Sequence, residues 1–544
     1  MPPIALEVDG KPVEVPDDGS TLLTVLRERL GLTSVKDGCS PQGQCGCCTV
    51  LVDGAPRVAC VTPVRRVRGR SVTTLDGLDP GEREAWGQAF CATGASQCGF
   101  CTPGIVVRLA GLAARSGGTA GEAAVEQALL AHLCRCTGWR TILDAWSRHA
   151  EGGAAGEPDR DLEAAGRRAT IEGGSPQRVA PAVALGHGGF ADDGAPPDAL
   201  VAVPDDAGGW AVAATLAEAR DAAGKVQGRR TTAELRHPLD VPPGPWAATL
   251  RTTWVEPGYL ELDAAWCEPG GEPATPLANG GAFGGKRTSV VTAAARELAD
   301  RHGRPVRAVL AREDAVRLGP KRPPVAGGIR ADGSGVLRVV ATPGVEEAVA
   351  AVAPGLRVEQ VAGVSGPPTS LDLRAAGWAE AVALVAAAGP GGEGSPSSPV
   401  TVHDTAAGGG TAAAVTVRSP AGAVATAEVR LGPEAAVHVR ITCGAPLDGV
   451  VLRSYCVGAA HMALGWVCSE GLAVDASGAV HDLTIRSFGI LRAVDMPPVT
   501  VEIVPDGGPP VNGSDAVFAA VAAAAWRAQG CPPDWPTARL PRGD

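Results

Sequence analysis

Short apolar-polar alternations and turn signals mark the beginning of the chain. The segment 4–15 alternates on both sides of Asp9-Gly10, and the segment 49–60 is interrupted by Asp53-Gly54. Asp-Gly tolerates the positive φ angles of a two-residue turn, so each segment predicts a β-hairpin. Between them, the apolar residues from Leu22 to Leu30 recur at helical spacing. The pattern therefore predicts a small sheet packed on one helix.

Helical periodicity dominates the next part of the chain. The stretches 104–112 and 122–133 carry apolar residues on one helical face, which predicts a small helical bundle. The following stretch, 151–180, is rich in Gly, Glu, Arg and Ala and has little apolar periodicity, so it predicts a linker. A chain of 544 residues is too long for one core, and we expect two to four domains.

Composition and charge exclude several classes of function. The net charge is −11, and no run of Lys or Arg is long enough to form a nucleic-acid surface. The first residues lack the charged and apolar regions of a secretory signal, and no stretch approaches 18 strongly apolar residues. We therefore expect a soluble, cytoplasmic protein that binds neither nucleic acid nor a membrane.

Cysteines are concentrated near the N-terminus, where ten of the fifteen fall in the first 136 residues. In a reducing cytoplasm such clusters bind metal more often than they form disulfides. Cys39, Cys45 and Cys48 share one Gly-rich loop, and Cys60 ends the second predicted hairpin. Hairpin, helix and hairpin with these thiols have the outline of a plant-type ferredoxin, which holds a 2Fe–2S cluster. Zinc is the alternative, although it prefers two separated C-x2-C pairs.

The spacing in this loop departs from the usual plant-type pattern. The gap between Cys39 and Cys45 is five residues, where four are usual. Cys47 is a rival for the third ligand, but Cys48 keeps the usual C-x2-C spacing from Cys45. We therefore predict that Cys48 is the ligand and that Cys47 is not.

A second group of cysteines brackets the predicted helices. Cys98 and Cys101 precede one helix, and Cys134 and Cys136 follow another. This placement brings four thiols together in a small helical bundle. Taken alone, the group suits either zinc or an iron–sulfur cluster.

The motifs around these cysteines resemble a known family. The segments Gly94–Gly104 and Leu133–Gly138, with the loop that ends at Gly54, are similar to the iron–sulfur subunit of the molybdenum hydroxylases, the xanthine oxidase family. The resemblance covers residues 1–150 and uses eight cysteines in order. It implies two 2Fe–2S clusters, the helical one near a molybdopterin and the ferredoxin-like one facing a flavin. It also implies that Gln97 approaches the pterin.

Several segments beyond residue 180 resemble the molybdopterin-binding subunit of that family. The segment Gly280–Lys286 is similar to its cofactor loop, which implies cofactor contacts by Gly281, Phe283 and Gly284. Arg374 stands at a turn where the resemblance implies a hold on a substrate or cofactor oxygen. From the residues alone, the loop also reads as a Gly-rich turn between strands, and Arg374 as a solvated arginine at a helix start.

The C-terminal half also departs from the family. At the position of the family's general-base glutamate this chain has Ser514, or Asp515 if the alignment slips by one residue. Serine cannot accept a proton near neutral pH, so Asp515 is the candidate catalytic base. The segment before Gly280 is shorter than in the family. The electron-transfer half thus keeps the family's motifs, whereas the catalytic half lacks the glutamate and has a shortened segment before Gly280.

Together these features predict an α+β protein. We expect a plant-ferredoxin-like β-grasp domain at 1–78, a four-helix-bundle-type 2Fe–2S domain at 79–150, a linker at 151–180, and molybdopterin-binding-like parts at 181–340 and 341–544. The predicted function is a molybdopterin-dependent hydroxylase of an aldehyde or N-heterocycle that passes electrons through two 2Fe–2S clusters to a separate FAD-binding subunit. The alternative is a non-catalytic electron-transfer or assembly subunit that docks on a complete molybdopterin-binding catalytic subunit.

Overall fold

Two hairpins and a short helix form the N-terminal domain, as the pattern predicts. The computed structural model describes residues 2–152, 160–225, 231–274, 281–389, 399–403 and 412–543. Both Asp-Gly turns have positive φ angles, +50° at Asp9 and +48° at Asp53. The strands run in the order β2-β1-β5-β3-β4. Their bounds are β1 (Ile4–Val8), β2 (Lys11–Val15), β3 (Thr49–Val52), β4 (Ala55–Val58) and β5 (Ser71–Thr73), and the helix is α1 (Leu22–Thr24), continued by a π-helical turn at Val25–Arg29.

Four helices form the second domain, and both cysteine pairs lie at their ends. Cys101 directly precedes α3, and Cys134 and Cys136 lie between α4 and α5. The stretch 122–133 is helical only to Ala128 and then forms a 3-10 turn that ends at Ala131. The helices are α2 (Pro80–Thr93), α3 (Thr102–Ser116), α4 (Glu122–Ala128) and α5 (Arg140–Ala150).

The segment 151–180, for which the sequence predicts a linker, contains a buried helix, α6 (Leu162–Gly173). Arg168 and Glu172 form an ion pair at 2.9 Å, and both side chains are fully buried. Arg168 also donates to the carbonyls of Pro446, Val511 and Ala445 at 2.8–2.9 Å. The linker prediction is wrong over α6, because an ion pair and alanines rather than large apolar residues fill its buried face.

Three sheets organise the rest of the chain. Their orders are β7-β6-β10-β9, β13-β12-β11-β8 and β14-β15-β16-β17-β18. The predicted boundary at residue 340 falls between β12 and β13, which pair in parallel within one sheet. The strands are β6 (Leu200–Pro204), β7 (Trp210–Ala213), β8 (Ala248–Arg251), β9 (Ala264–Cys267), β10 (Val306–Val309), β11 (Val325–Ile329), β12 (Gly335–Val340), β13 (Leu356–Val361), β14 (Val400–His403), β15 (Ala412–Arg418), β16 (Val424–Arg430), β17 (Ala436–Thr442) and β18 (Val499–Ile503).

Beyond α6, the described residues form eight further helices. They are α7 (Pro181–Ala184), α8 (Leu216–Ala222), α9 (Val291–His302), α10 (Arg312–Leu318), α11 (Val345–Ala350), α12 (Trp378–Ala387), α13 (Gly449–Cys468) and α14 (Ser514–Ala528). In the described part of the chain, α13 is long and apolar enough to cross a membrane by length and composition, but 89% of its apolar window is buried inside the protein. One continuous apolar core joins the N-terminal domains to α13 and α14.

Candidate functional site

The four cysteines predicted for the ferredoxin-like cluster meet beside the β3–β4 hairpin. Cys39, Cys45, Cys48 and Cys60 are all buried. The Cys39 sulfur accepts hydrogen bonds from the thiols of Cys45 and Cys60, which lowers the pKa of Cys39. The N–H of Gln42 donates to Cys39 Sγ at 3.0 Å, and the N–H of Cys60 donates to Cys48 Sγ at 3.4 Å. Four thiols with backbone donors aimed at their sulfurs fit a 2Fe–2S cluster.

Glycine is required where this loop meets the helical domain. Gly46 has a φ of +74°, and a Cβ at this position would lie 2.5 Å from the His132 ring. The close approach brings the first cysteine loop onto the segment that leads to Cys134. The loop therefore packs directly on the second cysteine group.

Cys47 lies between the two cysteine groups. It is buried, and its charge acts on Cys45 and Cys101. The pKa of Cys47 is lowered by a hydrogen bond from Cys45 but raised overall by burial and by the neighbouring thiols. Its exclusion from the ligand set stays a prediction.

The second quartet forms where α3 begins and α4 ends. Cys98 Sγ and Cys136 Sγ lie 3.7 Å apart. The Cys134 sulfur accepts hydrogen bonds from the thiols of Cys101 and Cys136, which lowers the pKa of Cys134. Cys98 alone of the eight predicted ligands is partly exposed. This donor set also fits a 2Fe–2S cluster.

A search for single-ion sites gives no candidate. Among the described residues, no group of three or more His, Cys, Asp or Glu side chains is placed to hold one metal ion.

A second constellation lies in the C-terminal half around Arg374. Its guanidinium donates to Asp515 Oδ1 at 3.2 Å and to Ser514 Oγ at 3.0 Å. It also contacts Met462 Sδ at 3.5 Å and lies 3.8 Å from the centre of the Phe283 ring. The structure thus brings together three of the predicted site residues, Phe283, Arg374 and Asp515. Arg374 is buried. The alternative interpretation of Arg374 as a solvated arginine at a helix start is therefore wrong.

Asp515 is held against this arginine at the start of α14. Burial raises the pKa of Asp515, although the charge of Arg374 opposes the rise. The N–H groups of Gly513 and Ser514 donate to Glu172 on α6 at 3.1 and 2.8 Å. Glu172 therefore fixes the start of α14. The role of Asp515 as a base stays a prediction.

The other predicted cofactor residues lie against the second cysteine quartet or against the backbone. Gln97 Nε2 donates to the carbonyl of Cys136 at 2.9 Å and to Ser454 Oγ at 3.0 Å. A Cβ on Gly281 would lie 3.0 Å from Cys136 Sγ, and one on Gly284 would lie 1.9 Å from the Asp372 carbonyl. Gly280, which begins the predicted loop, lies outside the described residues.

The space beside Arg374 is too small for a pterin. The cavity lined by Phe283, Arg374 and Trp466 has a volume of about 30 Å³, which is enough for one or two water molecules. Arg322 stacks 3.9 Å from the Trp466 ring and pairs with Glu380 at 2.7 Å. Side chains thus fill the space beside Arg374, whereas a cavity of about 420 Å³ borders Gln97, for which the resemblance implies contact with the pterin.

Sequence reasoning missed the charged residues that complete this packing. Glu172 lies in the predicted linker, and Arg322 and Glu470 belong to no motif. Glu380 ends the segment that begins at Arg374, but the sequence assigns it no role. Arg135, which lies between two predicted ligand cysteines, pairs with Glu470 across more than three hundred positions of sequence. Such long-range ion pairs leave no local periodicity, and only the tertiary structure identifies them.

Comparisons with known proteins agree with the N-terminal geometry. Residues 6–65 match the family model "2Fe-2S iron-sulfur cluster binding domain", and residues 74–147 match the "2Fe-2S binding domain". A nicotinate dehydrogenase subunit from Pseudomonas putida is 41% identical over 154 residues, which are 27% of this chain and 94% of that protein. The nicotine 6-hydroxylase small subunit of Paenarthrobacter nicotinovorans is 39% identical over 26% of this chain and 86% of its own length.

Larger relatives match over the same N-terminal region. The aldehyde oxidoreductase of Megalodesulfovibrio gigas is 40% identical over 151 residues, 27% of this chain, but the match spans only 16% of that protein. The fold as a whole is similar to the crystal structure of the aldehyde oxidoreductase from Desulfovibrio desulfuricans, with a TM-score of 0.69 at 16% identity, and the alignment spans 97% of both chains. The chain therefore belongs to the molybdenum hydroxylase family, and it carries two 2Fe–2S-binding domains.

Proposed function

We propose that this chain is the electron-transfer component of a molybdenum-hydroxylase-type oxidoreductase and holds no molybdenum cofactor of its own. The observation that carries the proposal is the assembly of eight cysteines into two quartets that pack on each other through Gly46 and His132. A 2Fe–2S cluster, when bound, accepts and releases one electron without gaining or losing atoms.

The chain's own residues perform three tasks in this role. Cys39 and its partners would hold one cluster, and Cys134 and its partners the other. The N–H groups of Gln42 and Cys60 donate to ligand sulfurs, and such hydrogen bonds stabilise the reduced state of a cluster. Burial of seven of the eight thiols keeps water from the sulfurs.

The C-terminal half supports these quartets rather than forming a reaction site. The cavity at Arg374 is too small for a pterin. The Arg374 guanidinium donates hydrogen bonds to Ser514 and Asp515 of this chain. Electrons must then reach the clusters from another protein. A complete molybdopterin-binding catalytic subunit is the partner that fits this need, and an FAD-binding subunit is the acceptor that we propose.

The names of the relatives suggest the substrate class of the assembly. They include a nicotinate dehydrogenase and a nicotine 6-hydroxylase, whose named substrates are N-heterocycles, and an aldehyde oxidoreductase. We propose that the assembled enzyme oxidises a substrate of one of these two classes. None of the fifteen cysteines forms a disulfide, which fits a reducing compartment, and we propose the cytoplasm.

Anaerobic titration with dithionite tests the proposal. We expect about two electrons per chain and two distinct electron paramagnetic resonance signals. The isolated chain should not oxidise benzaldehyde or nicotinate with an artificial acceptor. Turnover of either compound by the isolated chain would favour the alternative, in which the chain is itself a hydroxylase. The absence of both resonance signals after dithionite reduction of anaerobically purified protein would overturn the electron-transfer role.

A further inference from the structure

Arg312 reaches the first cysteine loop from the middle of the chain. It is the first residue of α10 and is 1% exposed. Its Nη2 donates to the carbonyl of Gly38 at 2.6 Å and to that of Leu260 at 3.3 Å. Gly38 directly precedes the predicted ligand Cys39. The guanidinium therefore binds the peptide group that carries the Cys39 N–H.

The backbone of Gly38 lies directly against the sulfurs of this loop. A Cβ on Gly38 would lie 3.1 Å from Cys45 Sγ and 2.9 Å from Cys47 Sγ. A single residue of backbone thus separates the Arg312 guanidinium from the first quartet, which comprises Cys39, Cys45, Cys48 and Cys60. The positive charge of Arg312 therefore lies close to the proposed position of the first cluster.

This guanidinium charge is buried without an ion-pair partner. Among the described residues, no carboxylate oxygen lies within 4.0 Å of an Arg312 nitrogen, and Nε and Nη1 have no hydrogen-bond partner there. Burial lowers the pKa of Lys321, the Asp263 charge opposes this, and the Arg312 charge adds to it. Asp263 thus belongs to the same group of charges without touching Arg312. A buried charge without a paired partner is costly, so this position favours a further negative charge nearby.

Other charged groups beside the first cysteine loop are paired or exposed. Lys36 pairs with Asp193, and Asp37 pairs with Arg220 at 3.3 Å. Arg486 is exposed, and water and salt screen such a charge. In the described part of the chain, the guanidinium on α10 is therefore the buried cation at this loop that no carboxylate contacts.

The second quartet differs in this respect. Arg135 lies between Cys134 and Cys136, but Glu470 binds its guanidinium through two hydrogen bonds of 2.6 and 2.7 Å. The chain itself therefore supplies the counter-charge beside this quartet. A cation with a carboxylate in contact acts less on its surroundings than one without, because the two fields oppose each other.

We propose that Arg312 is the positive counter-charge of the first cluster and raises its reduction potential. The inference rests on the proposed electron-transfer role. Four thiolates give a bound 2Fe–2S centre a net negative charge, and uptake of one electron adds one more. A cation nearby therefore stabilises the reduced state more than the oxidised state. Arg312 acts through its field and through the Gly38 peptide, and it does not ligate iron.

A redox titration of the full chain, followed by electron paramagnetic resonance, tests the inference without reference to activity. Loss of one signal in Cys39→Ser identifies the signal of the first cluster. Arg312→Gln keeps an N–H donor for the Gly38 carbonyl but removes the charge. We expect at least a tenfold loss in the reduction equilibrium of the first cluster, about 59 mV for one electron, and a smaller shift for the second. Arg312→Lys keeps the charge and should restore most of the loss.

Two further variants separate the charge from the packing. Arg317→Gln removes an exposed charge from the same helix and should leave both potentials unchanged, because water screens it. Asp263→Asn keeps the shape of the side chain and removes a negative charge from the group around Arg312. It should raise the potential of the first cluster, and it tests the sign of the effect even if Arg312→Gln does not fold.

The outcomes separate this inference from the proposed function. With both signals present, an unchanged first potential in Arg312→Gln, an equal fall in Arg312→Lys, or a fall in Asp263→Asn would overturn the role of Arg312. The electron-transfer role would then still stand. Absence of both signals from the reduced wild type would instead overturn the electron-transfer role, and this inference with it.

Discussion

Arg135 and Glu470 form a buried, bidentate ion pair between the second cysteine group and the C-terminal half. The two hydrogen bonds measure 2.6 and 2.7 Å, and the side chains are 3% and 2% exposed. Arg135 lies between Cys134 and Cys136, and its Nε donates to the Pro257 carbonyl at 2.8 Å. The pair therefore fixes the C-x-C segment to the C-terminal half of the fold.

Removal of Glu470 should destabilise the protein strongly. Glu470→Ala leaves the Arg135 charge buried and unpaired, which costs about 3–5 kcal/mol. Urea unfolding followed by circular dichroism measures this loss. The control is Glu359→Ala, because the Arg338–Glu359 pair is about one-third exposed and should contribute less than about 1 kcal/mol. Equal losses in the two variants would contradict the structural role of the buried pair.

Single cysteine variants should remove one cluster each. Cys39→Ser and Cys134→Ser should lower the iron content from about four to about two per chain. Each variant should lose a different electron paramagnetic resonance signal. Cys47→Ser should retain about four irons. If Cys47→Ser loses a cluster while Cys48→Ser keeps it, the two residues exchange roles in the ligand set.

A methyl group on Gly458 should separate α13 from the second cysteine group. A Cβ at this position would lie 1.8 Å from the Cys136 carbonyl, so the helix must shift. Gly458→Ala should destabilise the chain by about 1–3 kcal/mol and should lower the iron content of the second cluster. Gly449→Ala, in the first turn of the same helix, has ordinary contacts and is the matched control. Full cluster occupancy and stability in Gly458→Ala would show that α13 does not pack as described.

Glu261 should make stability depend on pH in a defined window. Burial raises the pKa of its carboxyl from 4.5 to about 7, so the folded protein holds this proton more tightly than the unfolded chain does. The free energy of unfolding should therefore fall as pH rises from about 4.5 to about 7, by up to about 3 kcal/mol, and stay level above that range.

Glu261→Gln should remove this slope between pH 5 and 8, although it leaves Lys286 without its carboxylate. Urea midpoints at each pH unit provide the measurement. Glu359→Gln is the control, because the pKa of Glu359 is lowered by Arg338 and its ionisation changes outside this range. Parallel pH profiles for the wild type and Glu261→Gln would show that Glu261 is ionised throughout.

The N-terminal half is largely predictable because its signals are local. Asp9-Gly10 and Asp53-Gly54 determine two hairpins, and the cysteine positions predict two groups of thiols, while the choice of Cys48 over Cys47 stays a prediction. The confirmed assignment to the molybdenum hydroxylase family depends on the same motifs.

The C-terminal half is less predictable because ion pairs between distant segments replace apolar periodicity there. The helix α6 has no sequence signature of a core element, since its buried face carries Arg168 and Glu172. The structure brings Phe283, Arg374 and Asp515 together, but their contacts with one another leave no local pattern either. The sequence shows that Ser514 stands at the position of the family's general-base glutamate. Only the structure shows that side chains fill the space beside Arg374.

Metal analysis tests the central claim most directly. Iron and molybdenum should be counted by mass spectrometry on the full chain, purified anaerobically from its native host and separated from its partners. We predict about four irons and no molybdenum per chain. One molybdenum per chain would contradict the account of the filled site, and zinc in place of iron would contradict the two 2Fe–2S clusters.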